Sequence, residues 1–255
     1  MDFSQVLRER RTGRRFSQLE LALRAGTTQR HVSFVESGRS APGRDMVVRL
    51  AEALELSLRE RNELLSAAGF APVYAESSLE DPVLAPVREA IGHILRGHLP
   101  YPAVVVDRGG QLVDANGAFG VITEGAAAEL LGPGTNVYRL ALHPDGLAPR
   151  ILNLAEWARH ILARLGQLGQ LGELRSELAG YLPELGPGDG ALGFAVPLRL
   201  RSSYGDLRLM TTVTTFATAV DVTLAELKLE AFLPADAATA GALAAAARDQ
   251  APGNM

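Results

Sequence analysis

The chain has 255 residues, of which 47% are hydrophobic and 21% charged, and its net charge is −4. Its length predicts one large or two ordinary domains. The absence of cysteine excludes disulfide bonds, thiolate metal sites and cysteine nucleophiles. No stretch approaches the ~18 uninterrupted apolar residues of a membrane span, and no apolar secretion signal follows Met1. We therefore expect a cytoplasmic protein with no membrane span.

Positive charge is concentrated in the first fifth of the chain. Residues 1–50 hold 10 arginines and 5 acidic residues, a net charge of +5, so residues 51–255 carry −9. A basic head on an acidic body is expected if only the head contacts phosphate groups.

The head also shows five short helical patterns. Ser17, Thr28 and Ser57 are predicted N-caps, Asp45 is predicted to open the fourth helix, and Gly26 to end the second. The apolar spacing predicts helices over residues 3–11, 18–25, 29–36, 46–54 and 58–68. This is enough for an all-α, five-helix domain, which we place at residues 1–75.

Six positions within this segment carry a recognisable spacing: Gln18, Ala22, Gly26, Val32, Glu36 and Gly38. On these residues, positions 3–70 resemble the repressor-like (lambda/434-type) helix-turn-helix of the XRE family. Such a turn lets one helix brace the other across a DNA groove. The resemblance implies double-stranded DNA as a partner. It also implies a structural role for Glu36, paired with an arginine of the first helix, here Arg11.

The second motif helix carries the candidate base-reading residues. With Val32 and Val35 inward, its open side shows Gln29, Arg30, Ser33 and Phe34. Gln and Arg can bond a purine edge through two hydrogen bonds, and an aromatic ring can contact a thymine methyl group. The resemblance places Gln18 at a phosphate, and Arg39 and Arg44 where phosphate contacts are expected. The complete candidate set is Gln18, Thr28, Gln29, Arg30, Ser33, Phe34, Arg39 and Arg44, with His31 assigned to the surface.

The helical and strand patterns of residues 79–235 predict a second domain of the α+β class. Apolar periodicity predicts helices over 82–97, 126–131, 137–142, 149–165 and 173–182, and another that starts at Ala118. β-branched runs around a glycine turn predict a hairpin of 103–107 and 111–116. Three further strands are expected at 192–201, 207–219 and 224–233. The repeated Gly-Gln-Leu pattern at 166–174 predicts a loose connection, and residues 236–255 an Ala-rich helix and tail.

The order of two strands, several helices and three strands resembles a PAS-like sensor domain. YPAVVVDRGGQLVDAN and NVYRLALHPDGLAPRILNLAEWARHILARL are more specific, because they resemble the MmyB-like ligand-binding domain found behind XRE-type heads. That likeness covers about residues 80–235 and implies an antiparallel five-stranded sheet and a bound fatty acid or similar lipid-like ligand, held without a covalent bond. The expected fold class is therefore multidomain, a helical head followed by an α+β PAS-like domain.

The second stretch offers His143, Arg150, Asn153, Trp157 and His160 for ligand contact, and the first four of these are the selected candidates. A fatty carboxylate needs a donor at one end of an otherwise apolar lining. Arg150, Asn153 and Trp157 share one face of the predicted long helix. Each also has a structural interpretation: Trp157 as core, His143 as part of a turn, and Asn153 as a partner of a loop carbonyl.

Catalytic motifs are missing from the sequence. It contains no Gly-x-Ser-x-Gly elbow, no metal-spaced histidine pair and no complete phosphate loop, so we expect neither an enzyme nor a metal site. The favoured reading is a homodimeric transcription regulator that binds a palindromic operator and a small apolar ligand. The alternative keeps DNA binding but makes the rear domain a dimerisation or protein-interaction module with no ligand.

Overall fold

The computed structural model describes residues 2–167, 171–182, 196–216 and 219–250. The chain divides into two compact units. The first, here called the head unit, comprises Met1–Ser78 and Ala217–Ala225, and the second, the rear unit, comprises Leu79–Phe216 and Glu226–Met255. Among the described residues, no helix has the length and apolar character needed to cross a membrane.

Five helices make up the N-terminal part of the head unit. The predicted cap residues Ser17 and Thr28 accept hydrogen bonds from backbone amides three residues on, and Ser57 forms a capping box with Glu60. The predicted start at Asp45 is wrong, because the fourth helix begins one residue earlier. Asp45 lies in its first turn, where a carboxylate favours the positive end of the helix dipole. The helices are α1 (Phe3–Gly13), α2 (Gln18–Arg24), α3 (Gln29–Glu36), α4 (Arg44–Ala53) and α5 (Leu58–Ala67).

The head helices enclose a core of their own. Val32 and Val35 of α3 are fully buried, as predicted, and pack with residues of the other four helices. Gly26 follows α2 with a φ of +62°, the left-handed conformation that lets the chain turn into α3. The buried members of the core are Phe3, Leu7, Leu21, Ala22, Ala25, Val32, Val35, Val47, Leu50, Ala51, Leu54, Leu56, Leu64 and Leu65.

The connector that follows α5 is bonded to that helix. The side-chain amide of Asn62 donates to the carbonyl of Tyr74 at 2.8 Å and accepts from the backbone amides of Val73 and Tyr74 at 3.0 and 3.1 Å. The guanidinium of Arg61 lies 5.8 Å from the centre of the Tyr74 ring. The connector therefore continues the folded head instead of leaving it as a free linker.

A short distant segment completes the head unit. The Asp221 carboxylate accepts from the backbone amide of Ser77 at 3.1 Å, and Val222, fully buried, donates its amide to the carbonyl of Ala75 at 2.8 Å. Both contacts join residues 219–225 to the connector. Burial raises the pKa of Asp221, but hydrogen bonds from Ser77, Thr223 and Leu224 outweigh this effect and lower the pKa overall.

The rear unit contains an antiparallel five-stranded sheet, so the predicted fold class is confirmed; the likeness to a PAS domain stays a prediction. The strand order is β2-β1-β5-β4-β3. In its centre Glu230 lies opposite both Val104 and Val213, and Thr211 lies opposite Phe232. The strands are β1 (Ala103–Val106), β2 (Leu112–Ala115), β3 (Leu198–Ser202), β4 (Gly205–Thr215) and β5 (Lys228–Pro234).

Two of the predicted strand ranges need correction. The strand expected at 224–233 begins only at Lys228, because Asp221 accepts hydrogen bonds from the amides of Thr223 and Leu224 and opens helix α11 (Val222–Glu226). The strand expected at 207–219 starts two residues earlier and ends at Thr215, where its pairing with β5 ends. Residues 217 and 218 of that range lie outside the described residues. For the strand expected at 192–201, residues 192–195 lie outside the described residues.

Helices cover the sheet and form the rest of the rear unit. Short 3-10 turns replace helix at 82–84 and at 128–130, so the helix predicted over 126–131 is reduced to a single turn. The Gly-Gln-Leu repeat falls partly outside the described residues, at 168–170. The helices are α6 (Ala85–Gly97), α7 (Phe119–Thr123), α8 (Val137–Leu142), α9 (Leu154–Gln167), α10 (Gly172–Gly180) and α12 (Ala237–Gln250).

The start of α9 differs most from the prediction. The apolar pattern predicts a helix from Pro149, but Pro149 lies in a 3-10 turn and Ile151 forms an isolated bridge with Leu200 of β3. Asn153 accepts from the amide of Arg199 at 3.1 Å and donates to the carbonyl of Pro197 at 2.9 Å. These bonds tie Ile151 and the turn at 152–153 to residues in and beside β3, and the helix starts afterwards.

An ion pair links α8 to α10. Arg139 donates to both carboxylate oxygens of Glu177, at 2.7 and 2.8 Å, and the Tyr181 hydroxyl donates to the same carboxylate. These hydrogen bonds hold the pKa of Glu177 at about 2, below its usual 4.5.

The Ala-rich tail also belongs to the rear unit. Leu243 and Ala246 of α12 are each 1% exposed and pack in the same core as the sheet and α9. The small side chains of this helix let it lie close to the strands, so α12 is part of the folded unit. Residues 251–255 of the predicted tail lie outside the described residues.

Candidate DNA-reading surface and ligand cavity

The open side of α3 presents a cationic and aromatic cluster. Gln29 and Arg30 are exposed, while Ser33 and Phe34 are half-buried. The guanidinium carbons of Arg30 and Arg39 lie 5.1 and 6.0 Å from the centre of the Phe34 ring. Both guanidinium groups therefore rest on one aromatic side chain, which restricts them while their donor edges stay available.

The other predicted DNA contacts lie on the same unit but are engaged to different degrees. Gln18 opens α2, and its side-chain nitrogen donates to Glu36 at 2.8 Å. The Thr28 hydroxyl accepts a hydrogen bond from the backbone amide of His31. The residue His31 is half-buried, whereas the sequence assigned it to the surface. Arg44 is exposed at the first position of α4. Whether these side chains contact DNA stays a prediction.

Glu36 is held by a closed set of donors, and its predicted pairing with Arg11 is confirmed. Arg11 donates to the two carboxylate oxygens at 2.6 and 2.9 Å, and Gln18 adds a third bond. The Glu36 side chain is only 3% exposed. Arg11 also donates to the carbonyl of Phe16, and the hydrogen bond to Glu36 raises the pKa of Arg11. This pair ties α1 to the end of α3 and sets the position of α3.

The rear unit encloses a cavity of ≈ 320 Å³ between the sheet and the helices. Its volume falls at the lower end of the ~300–1,000 Å³ range of small-molecule sites. Val213, which belongs to the lining, is 46% exposed, so the lining reaches the protein surface there. The lining is mostly apolar and comprises Val104, Phe119, Ile122, Val137, Tyr138, Leu140, Ala141, Leu147, Ile151, Trp157, His160, Ile161, Arg164, Leu198, Thr211, Val213, Glu230 and Phe232.

One part of the lining is polar. Arg164 of α9 donates to Glu230 of β5 at 2.6 Å, and Glu230 is only 5% exposed. The Arg164 guanidinium lies 5.9 Å from the centre of the Tyr138 ring. Burial, followed by the charge of Arg164, lowers the pKa of His160, and burial raises the pKa of the Tyr138 hydroxyl. The site therefore favours neutral His160 and Tyr138 beside a compensated ion pair.

Of the four predicted ligand residues, only Trp157 is among the described lining. It stacks on His160 with ring centres 5.6 Å apart. His143 accepts from the amide of Asp145 and lies edge-on to Tyr181, and Asn153 bonds the backbone beside β3. These are the structural interpretations that the sequence left open.

Arg150 is engaged elsewhere. Its guanidinium donates to the carbonyls of Arg201 at 2.8 Å, Ile122 at 2.9 Å and Val121 at 3.2 Å, and also to that of Glu124. Burial lowers its pKa. Arg150 therefore joins α7 to β3, and it is not one of the described residues that line the cavity.

Of the polar residues that line the cavity, the sequence offers His160 as a possible ligand contact, whereas Arg164, Thr211 and Glu230 are not predicted. His160 and Arg164 follow Trp157 at three and seven positions, a helical spacing that could have placed them on one face. Glu230 stands in the apolar run LEAFL, where a charge signals a buried pair. Thr211 carried no such signal, because its place depends on the pairing of β4 with β5. The described residues contain no group of three or more side chains able to hold a metal ion.

The family model of the MmyB-like transcription regulator ligand binding domain matches residues 87–246, more than half of the chain. The chain belongs to this family. In this MmyB-like protein a second model, described as helix-turn-helix, matches residues 7–61. The two matches cover the head helices α2 and α3 and the cavity residues of the rear unit.

Two individual proteins show a weaker similarity to this MmyB-like chain than the family models do. An uncharacterized HTH-type transcriptional regulator, y4dL, of Sinorhizobium fredii is 32% identical over 93 residues, which cover 36% of this chain. The chain spans about half, 47%, of the length of that relative. A solved structure of an RNA-binding Light-Oxygen-Voltage receptor has 16% identity and a TM-score of 0.27 over 96% of this chain and 63% of that one. A score this low supports no structural comparison.

Proposed function

We propose that the protein is a sequence-specific DNA-binding transcription regulator whose rear unit senses a small apolar ligand. The observation that carries the proposal is the ≈ 320 Å³ apolar cavity in a chain that also has a helix-turn-helix head. Neither feature needs the other for folding, since each unit has its own buried core. A regulator that couples a ligand to DNA binding uses both.

DNA binding is proposed to occur as a homodimer on a palindromic operator. A single head of this size buries too little surface for tight specific binding. Two heads related by a two-fold axis can read half-sites about one helical turn apart. Arg30 and Gln29 are the proposed base contacts, and Arg39 and Arg44 the proposed phosphate contacts.

A selected operator allows these roles to be tested separately. Arg30→Ala is expected to cost about 1–3 kcal/mol of binding and to relax base preference at one position. Arg39→Ala, the matched control, is expected to weaken binding to all sequences alike and to reduce its salt dependence. Loss of only non-specific affinity in both variants would contradict the base-reading role of α3.

The ligand is proposed to be an amphiphile with an apolar chain. Trp157, Ile161, Phe119 and Phe232 supply apolar walls, and the polar groups are confined to one part of the lining. Burying an apolar chain there removes its surface from water, which is the main driving force for such binding. A fatty acid or similar lipid is the class expected from the family.

The segment 219–225 offers a route for coupling. β4 and β5 both contribute to the cavity lining, and the chain between them belongs to the head unit. There Asp221 and Val222 bond the connector, which Asn62 holds on α5. A ligand that shifts β4 or β5 would act on these bonds, but only to the extent that it binds one arrangement better than the other.

Native mass spectrometry of the purified protein, followed by denaturing extraction, tests the ligand directly. One acyl chain per subunit would support the proposal, whereas an empty dimer would favour a rear unit that only dimerises or binds a protein. Operator affinity is then measured with and without saturating ligand, and an unchanged affinity would exclude regulation. Asp221→Ala is expected to keep both binding reactions and weaken the coupling between them, with Asp206→Ala, an exposed residue of β4, as control.

A further inference from the structure

Thr211 places an unused hydroxyl at the cavity. Its oxygen is buried, and within the part of the chain that the structure describes it has no hydrogen-bond partner. Leaving such a group unsatisfied costs free energy that a ligand could recover. Because Thr211 is opposite Phe232 and Val213 is opposite Glu230, Thr211 and Glu230 are diagonal neighbours on one face of the sheet.

Glu230 also has capacity to accept. Arg164 Nη2 bonds its Oε1 at 2.6 Å, and no other hydrogen bond reaches this carboxylate among residues 2–167, 171–182, 196–216 and 219–250. A carboxylate can accept about four hydrogen bonds. Glu230 and Thr211 together therefore present acceptor positions to whatever occupies the polar part of the cavity.

The positive charge of Arg164 is already compensated by Glu230. A ligand carboxylate would have to lie beside the Glu230 carboxylate or displace it from Arg164. The first arrangement puts like charges together in a desolvated site, and the second leaves a buried anion without its partner. Lys228, the next residue of β5 on the same face, is half-buried but is not part of the described lining.

We infer that the cavity selects an amphiphile whose head group is uncharged and donates a hydrogen bond, such as an alcohol or a primary amide, over a fatty carboxylate. An alcohol can donate to Glu230 and also bond the Thr211 hydroxyl, whereas an ionised carboxylate has no donor. The inference rests on the proposed ligand-sensing function and names the chemical class of the ligand. At ~30 Å³ for each water-sized group, the cavity holds roughly ten such groups, a medium-length chain.

The test compares decan-1-ol with decanoate, which have the same chain length and differ in the head group. Binding to the full-length protein is measured by calorimetry and by the emission of Trp157, the sole tryptophan, which lines the cavity. At pH 7.5 decanoate is ionised, well above the usual carboxylic acid pKa of about 4. We expect decan-1-ol to bind at least tenfold more tightly than decanoate.

Two variants identify the groups responsible. Thr211→Val keeps the shape but removes the hydroxyl, and is expected to weaken decan-1-ol roughly five- to tenfold with no change for decanoate. Thr212→Val is the matched control, since Thr212 is exposed on the other face of β4. Glu230→Gln leaves Arg164 without its counter-ion and is expected to reverse the preference in favour of decanoate.

Each outcome has a distinct meaning. Equal or tighter binding of decanoate by the natural protein, or no effect of Thr211→Val on decan-1-ol, would overturn the head-group inference and leave ligand sensing intact. Failure of both amphiphiles to bind would overturn the proposed ligand-sensing function, and the inference with it. The Thr211 variant keeps the comparison decisive even if Glu230→Gln fails to fold.

Discussion

Replacing Arg11 with alanine is expected to destabilise the head unit strongly. With Arg11 in place the Glu36 side chain is only 3% exposed, and the change removes its two hydrogen bonds from the guanidinium. Among the residues that the structure describes, only Gln18 still donates to this carboxylate. Removing one partner of a buried ion pair typically costs about 3–5 kcal/mol, because the other charge stays desolvated. Typical domains have about 5–15 kcal/mol of stability, so much of the head's stability would be lost.

Arg10 provides a matched control on the same helix. It pairs with Glu60 and Glu63 at 2.6 and 2.8 Å, but its side chain is 32% exposed. Water and ions screen such a pair, so Arg10→Ala is expected to cost about 1 kcal/mol or less. The difference between the two alanine variants therefore measures burial rather than the mere presence of an ion pair.

Urea denaturation of the full chain can separate the two units. Far-UV circular dichroism follows the helices of both, whereas the emission of Trp157 follows the rear unit alone. Arg11→Ala should shift a helical transition to lower urea and leave the tryptophan transition unchanged. The double variant Arg11→Met with Glu36→Leu should recover most of the loss, because neither charge is then buried. A cost for Arg11→Ala as small as that of Arg10→Ala would refute the reasoning.

Three further predictions concern the rear unit, each followed through the tryptophan transition in urea. The pKa of Glu177, about 2 when folded against 4.5 unfolded, predicts stability that is present above pH 4.5 and lost as pH falls toward 2. The loss should stay under about 1 kcal/mol, because the pair is partly exposed, and Glu177→Gln should abolish it. Gly110→Ala places a Cβ 2.4 Å from the Tyr138 ring, and this clash should cost about 1–3 kcal/mol of stability. The control is Gly134→Ala, because Gly134 has nearly the same φ but its added Cβ meets nothing within 4 Å. Equal costs for the two variants would exclude the clash. Arg150→Met should cost about 2 kcal/mol of stability and leave decan-1-ol affinity unchanged, whereas a selective loss of affinity would restore Arg150 as a ligand contact.

The head could be predicted because its signals are local. Ser17 and Thr28 cap helices within three residues, and Gly26 turns the chain at the position where it stands. The pairing of Arg11 with Glu36 spans 25 residues and came from the family resemblance, not from spacing. The predicted start of the fourth helix at Asp45 was wrong by one residue, because helix starts are uncertain by a residue or two when more than one N-terminal signal is present.

The cavity could be predicted only in part, because strand pairing decides most of it. An apolar helical face predicts Trp157, but Asn153 belongs to that face only if the helix starts at Pro149, and it starts at Leu154. Bonds from residues 151–153 to β3 override that periodicity. Thr211 and Glu230 become neighbours only through the register of β4 and β5, which no local pattern encodes.

The head and the rear unit each bury an arginine–glutamate pair, and the surroundings decide what each pair can do. Glu36 receives three hydrogen bonds from side chains, so its acceptor capacity is largely used and the pair serves to fix α1 against α3. Glu230 receives one, from Arg164, in the part of the chain that the structure describes, and it faces a cavity. An incompletely bonded buried pair is costly unless something completes it. A ligand that donates a hydrogen bond would complete this one, which makes the ion pair a reason for the cavity to discriminate between head groups.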